Sequence, residues 1–70
     1  MDQRKLKVLA LLVDAVVETI KEAGAMGAPG GVLYAALMTR GFSLEEFEIF
    51  MRVVVATGRV YKTGHLYFAK

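Results

Sequence analysis

Histidine and glutamate are the residues of this sequence best suited to acid–base or metal chemistry, but their spacing favours neither. His65 is the only histidine, and it lies in a short polar stretch with no acidic residue beside it. A nucleophile needs an adjacent base, and a metal ion needs several ligands that converge on it. The sequence also contains no cysteine. We therefore expect no enzymatic activity, no cofactor and no metal site.

Three glutamates, Glu45, Glu46 and Glu48, lie close together shortly after Ser43. Ser43 followed three residues later by Glu46 is a capping box, in which each side chain bonds the backbone N–H of the other residue. Negative side chains in the first turn of a helix also oppose its macrodipole favourably. We therefore assign the glutamates to the start of a helix and not to a catalytic or metal site.

The capping box also marks a tight turn between two predicted helices. Phe42 and Phe47 have the spacing of a hydrophobic staple. Gly41 can end the helix before the turn, and Gly58 can end the helix after it. After Gly58 the apolar residues alternate, which indicates a β-hairpin. We expect one α+β domain covering residues 1–70. Its predicted elements are helices over 3–23, 31–40 and 44–57 and a hairpin over 59–69.

The register of the hairpin depends on the length of its turn. A two-residue turn would place Val60 on the opposite face from Leu66 and Phe68. A three-residue loop with Gly64 in the left-handed conformation and a bulge would put all three side chains inside. We expect the three-residue loop. The side chains that would then point outward are Tyr61, His65 and Tyr67.

Composition and hydropathy limit the cellular setting. The longest early apolar run, Val8–Val13, is broken by Asp14 and is far shorter than the ~20 residues that span a membrane. The basic and apolar start of the chain continues as an amphipathic helix to Glu22, so we assign it to the fold and not to a secretory signal. We expect a cytoplasmic protein with no membrane partner. Its net charge of +2 is too small to indicate a polyanionic partner by itself.

The first helix has a broader apolar surface than a single core requires. Its apolar arc covers roughly 180–200°, whereas a helix on one small core needs ~100° or slightly more. Either two copies form a homodimer through this helix, or the other elements of a very small domain cover both of its sides. The residues of the arc are Leu6, Val8, Leu9, Leu12, Val13, Val16, Val17 and Ile20.

The second and third helices are each predicted to bury one side. In the second helix we expect Leu33, Ala36 and Leu37 to face the core, with Ala36 allowing close approach of a neighbouring helix. The third helix has a second, weaker apolar stripe on its outer side. That stripe consists of Ile49, Val53 and Ala56, with Glu45 on the same side.

Three helices with a tight turn between the second and third, followed by a hairpin, resemble a winged helix-turn-helix domain. The resemblance covers essentially the whole chain, and in such domains that bind double-stranded DNA the third helix enters the major groove. The hairpin, or wing, contacts the phosphate backbone or the minor groove. The resemblance implies Ser43, Glu45, Glu48, Ile49 and Arg52 near base edges, and Arg59, Lys62 and His65 on the wing. Arg40 before the turn would extend the basic surface, and Tyr61 and Tyr67 could stack on bases or sugars.

The charge distribution leaves two functions open. Residues 44–57 contain three glutamates and one arginine, so the predicted third helix is acidic. This disfavours DNA binding, because phosphate neutralisation by Lys and Arg supplies most non-specific DNA affinity. The chain is either a small DNA-binding winged-helix protein that regulates transcription or a mobile element, or a protein-interaction or dimerisation module. In the second case it would not bind DNA. Its partner would contact Ile49, Val53, Ala56 and Glu45 on the third helix.

Overall fold

The computed structural model describes the backbone over residues 3–70 and the side chains over residues 7–70. The expected place of Leu6 in the apolar arc lies outside the described side chains. The fold is α+β, with three helices and a three-stranded antiparallel sheet. A short 3-10 helix, Gly24–Met26, follows the first helix. The elements are α1 (Gln3–Ala23), β1 (Ala28–Pro29), α2 (Gly30–Met38), α3 (Leu44–Ala56), β2 (Val60–Thr63) and β3 (Leu66–Ala69).

The turn between α2 and α3 forms through backbone hydrogen bonds and the predicted capping box. Gly41 takes a φ of 91°, and the N–H groups of Gly41 and Phe42 donate to the carbonyls of Met38 and Leu37. This pair of bonds is a Schellman motif, which ends α2 two residues before the predicted position. Ser43 Oγ then accepts from the Glu46 N–H at 3.1 Å, and the Ser43 N–H donates to Glu46 Oε1 at 3.0 Å.

Aromatic contacts fix the angle between these two helices. Phe42 packs edge-on against Phe50, with ring centroids 5.5 Å apart, so its aromatic partner lies one turn beyond the expected Phe47. The Phe47 ring tilts instead against Tyr34 of α2 at 5.3 Å. Ala36 is exposed, contrary to our expectation. The nine-residue helix turns Leu33 and Leu37, four residues apart, to the core and leaves Ala36 on the solvent side.

The core is formed by α1, the α2–α3 pair and one face of the sheet. Val17, Ile20, Val54 and Val60 are its most completely buried side chains, from α1, α3 and β2. Among the described side chains of α1, residues 7–23, the buried ones lie between Val13 and Ile20. None of the helices in the described part of the chain is long and apolar enough to cross a membrane.

The predicted register of the hairpin is wrong. Strand β2 pairs with β3 through a two-residue turn, Gly64 and His65, with Val60 opposite Ala69 and Lys62 opposite Tyr67. Gly64 has a φ of 62°, as in a type II′ turn with glycine first. Cross-strand partners share a face of the sheet, so Lys62 and Tyr67 lie on the same face as Val60 and Ala69. Tyr67 is therefore in the core with Val60, and its side chain is 5% exposed.

The reason for this register lies in β1, a short strand before α2 that pairs with β3. Strand order is β1-β3-β2, and β1 places Ala28 opposite Tyr67. The Gly30 N–H donates to the His65 carbonyl at 2.8 Å. Phe68 is covered on the other face of the sheet, where its ring stacks on Tyr61 and lies against Gly27. Phe68 therefore has packing partners without entering the main core.

Candidate functional site

A groove lies between α3 and the β2–β3 hairpin, with a volume of about 610 Å³. We call it the α3–hairpin groove. Its floor is apolar because Phe47, Met51 and Tyr67, all buried, reach its base. Its exposed rim carries one carboxylate, one guanidinium, one ammonium and one imidazole. These rim residues are Glu48 and Arg52 on α3 and Lys62 and His65 on the hairpin.

Helix α3 presents its two rim residues one turn apart, since Glu48 and Arg52 are four positions apart. The capping box sets where this helix begins and therefore which way these side chains point. It also lowers the pKa of Glu46, because the Ser43 backbone N–H and then the Ser43 side chain hydrogen-bond its carboxylate. Glu46 is thus turned back onto the helix start and away from the groove.

The hairpin presents Lys62 and His65 from its end nearest α2. The hydrogen bond between the Gly30 N–H and the His65 carbonyl ties the turn to the start of α2. The Lys62 Nζ lies 5.7 Å from the centroid of the Tyr67 ring, within the range of a cation–π contact. Since Lys62 and Tyr67 are cross-strand partners, the ring on the groove floor holds the ammonium above it.

Arg59 lies away from the groove and is paired with α1. Its Nη1 donates to Asp14 Oδ1 at 2.6 Å. Both side chains are substantially exposed, so the pair adds at most about 1 kcal/mol of stability. Asp14 also offsets a positive charge that the sequence assigned to the hairpin surface.

The other residues predicted to contact DNA are divided between surfaces. Arg40 and Ser43 lie in the turn before α3 and do not line the groove. Tyr61 is exposed on the far face of the sheet and stacks on Phe68, with centroids 5.3 Å apart. Tyr67 was expected to point outward; its burial is the consequence of the corrected register. The two tyrosines therefore do not form one stacking surface.

The outer side of α3 carries the residues of the alternative site. Ile49 and Val53 are 52% and 43% exposed, and Ala56 and Glu45 are exposed as well. None of these four residues lines the α3–hairpin groove. The helix thus has two distinct accessible surfaces, one charged and facing the hairpin and one largely apolar.

Two features of the site were missed from the sequence. The first is the groove floor, because no pattern in the sequence shows that Phe47, Met51 and Val55 on the third helix border a groove. The second is the pairing of Asp14 with Arg59, 45 positions apart. The sequence places Asp14 directly after the apolar run Val8–Val13, but nothing there indicated its partner.

The chemistry of the groove favours binding of an anionic or mixed polar and apolar ligand. In the part of the chain that the structure describes, no three His, Asp or Glu residues come together as a metal site would require. Neither models of protein families, nor curated proteins, nor solved structures gave a match to this chain.

Proposed function

We propose that this protein is a small winged helix-turn-helix protein that binds double-stranded DNA and regulates transcription or a mobile element. The observation that carries the proposal is the meeting of Arg52 from α3 and Lys62 from the hairpin at one groove. In DNA-binding winged helices the corresponding helix and hairpin both contact the duplex. The order of elements, with three helices and then a hairpin, supports the same assignment.

The acidic character of α3 is less of an obstacle than its composition suggests. Glu46 is engaged by Ser43 in the capping box, so its carboxylate is directed to the backbone of the helix start. Glu48 lies in the groove one turn before Arg52. A glutamate can accept from cytosine N4, and an arginine can donate two bonds to guanine. This pair is therefore suited to base edges.

The number of available cations sets the expected strength of binding. Lys62 would contact a phosphate, and Arg52 would place a second positive charge at the base edges, whereas Arg59 is offset by Asp14. Neutralising one or two phosphate charges gives a slope of log K against log salt of about −1 to −2. We expect modest affinity that falls clearly as the salt concentration rises.

The test is an amide-resolved NMR titration with random-sequence duplex DNA at about 50 mM and 200 mM salt. We expect shifts in α3 around Glu48–Arg52 and in the hairpin around Lys62–His65. At the lower salt concentration each phosphate contact is worth about tenfold in affinity through counterion release. Lys62→Glu should therefore weaken binding by at least about tenfold.

A matched control is Lys21→Glu, which changes the net charge equally but lies on α1 beside Glu18. We expect this variant to bind within about threefold of the wild type. Equal losses in both variants would show that net charge alone governs binding and would contradict a site at the groove. Absence of shifts at 50 mM salt would rule out the DNA-binding function.

A second candidate function is protein binding through the outer side of α3. The exposure of Ile49 and Val53 favours it, because an apolar stripe with a charged border is typical of the centre of a protein interface. The same titration separates the two functions. Unchanged spectra with DNA, together with concentration-dependent shifts at Ile49, Val53 and Ala56, would favour the protein-binding function.

A further inference from the structure

We propose that Glu48 and Arg52 give this protein a preference for duplex DNA with G·C base pairs, an inference that rests on the proposed function. The two side chains are exposed in the α3–hairpin groove, four positions apart on α3. Each directly follows a buried residue, Phe47 before Glu48 and Met51 before Arg52. Because these buried neighbours hold α3 against the core, the helix cannot turn the charged pair out of the groove.

Both charges of this pair are available to a ligand. Within the described part of the chain, the two ion pairs join α1 residues to each other and to Arg59, so neither includes Glu48 or Arg52. The carboxylate of Glu46 differs, since it accepts the backbone N–H of Ser43. Glu48 is thus the glutamate of α3 that brings its negative charge into the groove.

The two charges can select among base pairs because each pair presents different groups in the major groove. Cytosine N4 donates, whereas guanine O6 and N7 both accept. A carboxylate can only accept, and a guanidinium can donate two bonds to guanine. An A·T pair also offers a donor, but no base of that pair offers two adjacent acceptors. The G·C pair therefore supplies partners for both Glu48 and Arg52.

The spacing of the pair fits the spacing of stacked bases. Four residues of α-helix advance by about 6 Å, and successive base pairs are separated by about 3.4 Å. Glu48 and Arg52 can therefore reach the same base pair or two neighbouring ones.

Glu48 strengthens the preference because it penalises other sequences. The groove rim carries the positive charges of Arg52 and Lys62 against this carboxylate. On a duplex the phosphates repel the carboxylate, and only a base amino group that donates to it offsets that repulsion. Specificity of this kind combines a repulsive element with an attractive one. Removal of the Glu48 charge should therefore raise affinity for A·T sequences and weaken the preference.

Fluorescence anisotropy at about 50 mM salt, with three labelled duplexes of equal length, tests the preference. The first contains only G·C pairs, the second only A·T pairs, and the third pairs inosine with cytosine. Inosine keeps the O6 and N7 of guanine but lacks its minor-groove amino group. A bidentate base contact discriminates by at least about fivefold. We expect the wild type to bind the first and third duplexes at least about fivefold more tightly than the second.

Glu48→Gln tests the role of the carboxylate, since it keeps the shape of the side chain and removes the charge. Glutamine bonds adenine at N6 and N7, so this variant should bind the A·T duplex more tightly than the wild type does. Its preference for G·C should fall below about twofold. The matched control is Glu45→Gln, an equal change of charge on the exposed outer side of α3, which should leave the preference unchanged. Circular dichroism of both variants checks the fold.

The possible results distinguish base preference from DNA binding. Equal affinities of the wild type for the three duplexes would overturn the inference and leave DNA binding intact. Equal effects of Glu48→Gln and Glu45→Gln on the preference would do the same. A preference that is lost with inosine would show recognition through the minor groove and would also overturn the inference. Absence of binding to any duplex would overturn the proposed function, and this inference with it.

Discussion

Gly27 is the position at which a single added methyl group should do the most damage to the fold. Its φ and ψ are 77° and 161°, a combination that is essentially restricted to glycine and costs other residues about 1–3 kcal/mol. A Cβ built there would also lie 2.8 Å from two ring carbons of Phe68. Overpacking of this kind adds about 1–3 kcal/mol. We expect Gly27→Ala to lower the free energy of unfolding by about 3 kcal/mol or more.

That loss is comparable with the whole stability of a domain of this size, which rarely exceeds about 3–5 kcal/mol. Urea unfolding followed by circular dichroism should therefore show Gly27→Ala with a greatly reduced midpoint or largely unfolded at 25 °C. Since Gly27 leads into β1 and then into the Gly30 N–H that holds His65, the variant should also lose the geometry of the groove.

Two other glycines provide matched controls. Gly24 also has a positive φ, 60°, but a Cβ there would meet nothing within 4 Å, so Gly24→Ala should cost only about 1 kcal/mol. Gly31→Ala, in the first turn of α2 and equally free of contacts, should be neutral or stabilising by up to about 1 kcal/mol. Equal midpoints for Gly27→Ala and Gly24→Ala would refute the reasoning. If the contact with the Phe68 ring contributes, Gly27→Ala should lower the free energy of unfolding less in a Phe68→Leu variant than in the wild type.

The capping box and the hairpin register each give a further prediction. Because the pKa of Glu46 is lowered in the folded protein, its carboxylate contributes fully to stability above its unfolded-state pKa. That contribution is lost as the pH falls through its folded-state pKa. Ser43→Ala should cost about 1 kcal/mol of unfolding free energy at neutral pH, because the Glu46 N–H loses its Oγ acceptor. Glu46→Ala removes the carboxylate that the Ser43 N–H bonds, so acid titrations should show its destabilisation shrinking as the pH falls; a difference independent of pH would contradict that hydrogen bond. Tyr67→Ser should destabilise by about 3 kcal/mol or more as a buried aromatic, and Tyr61→Ser by less than about 1 kcal/mol. A larger drop in melting temperature for Tyr61→Ser than for Tyr67→Ser would refute the two-residue turn.

The helices were predictable because their ends are marked by local chemistry. Ser43 with Glu46, and the glycines at 41 and 58, act within a few residues of the chain, so their effect can be inferred without knowing the fold. Helix α1 occupies the predicted residues for a similar reason, as its apolar periodicity continues until the chain reaches Gly24.

The register of the hairpin was not predictable in the same way. Tyr67 and Phe68 are neighbouring aromatic residues, and hydrophobicity does not distinguish which one belongs in the core. The choice is made by β1, which pairs with β3, and by the space that Gly27 leaves for the Phe68 ring. Both partners lie about 40 residues away in the sequence.

The candidate site was predictable as a set of residues but not as a surface. Arg52, Lys62 and His65 were identified from their types and elements, and all three line one groove. The removal of Arg59 from that set follows from a contact with Asp14 on a distant helix. Pairing of charges across the fold depends on tertiary geometry, which local patterns do not encode.

The strand order has a consequence for how this protein acquires its fold during synthesis. The central strand of the sheet, β3, is the last to be synthesised, and both β1 and β2 pair with it. No part of the sheet can therefore assemble until residues 66–69 have left the ribosome. Until then the apolar side of α1 lacks its covering strands, so the nascent chain exposes a surface of the kind that chaperones bind. We expect folding to be a late and concerted event rather than a stepwise one.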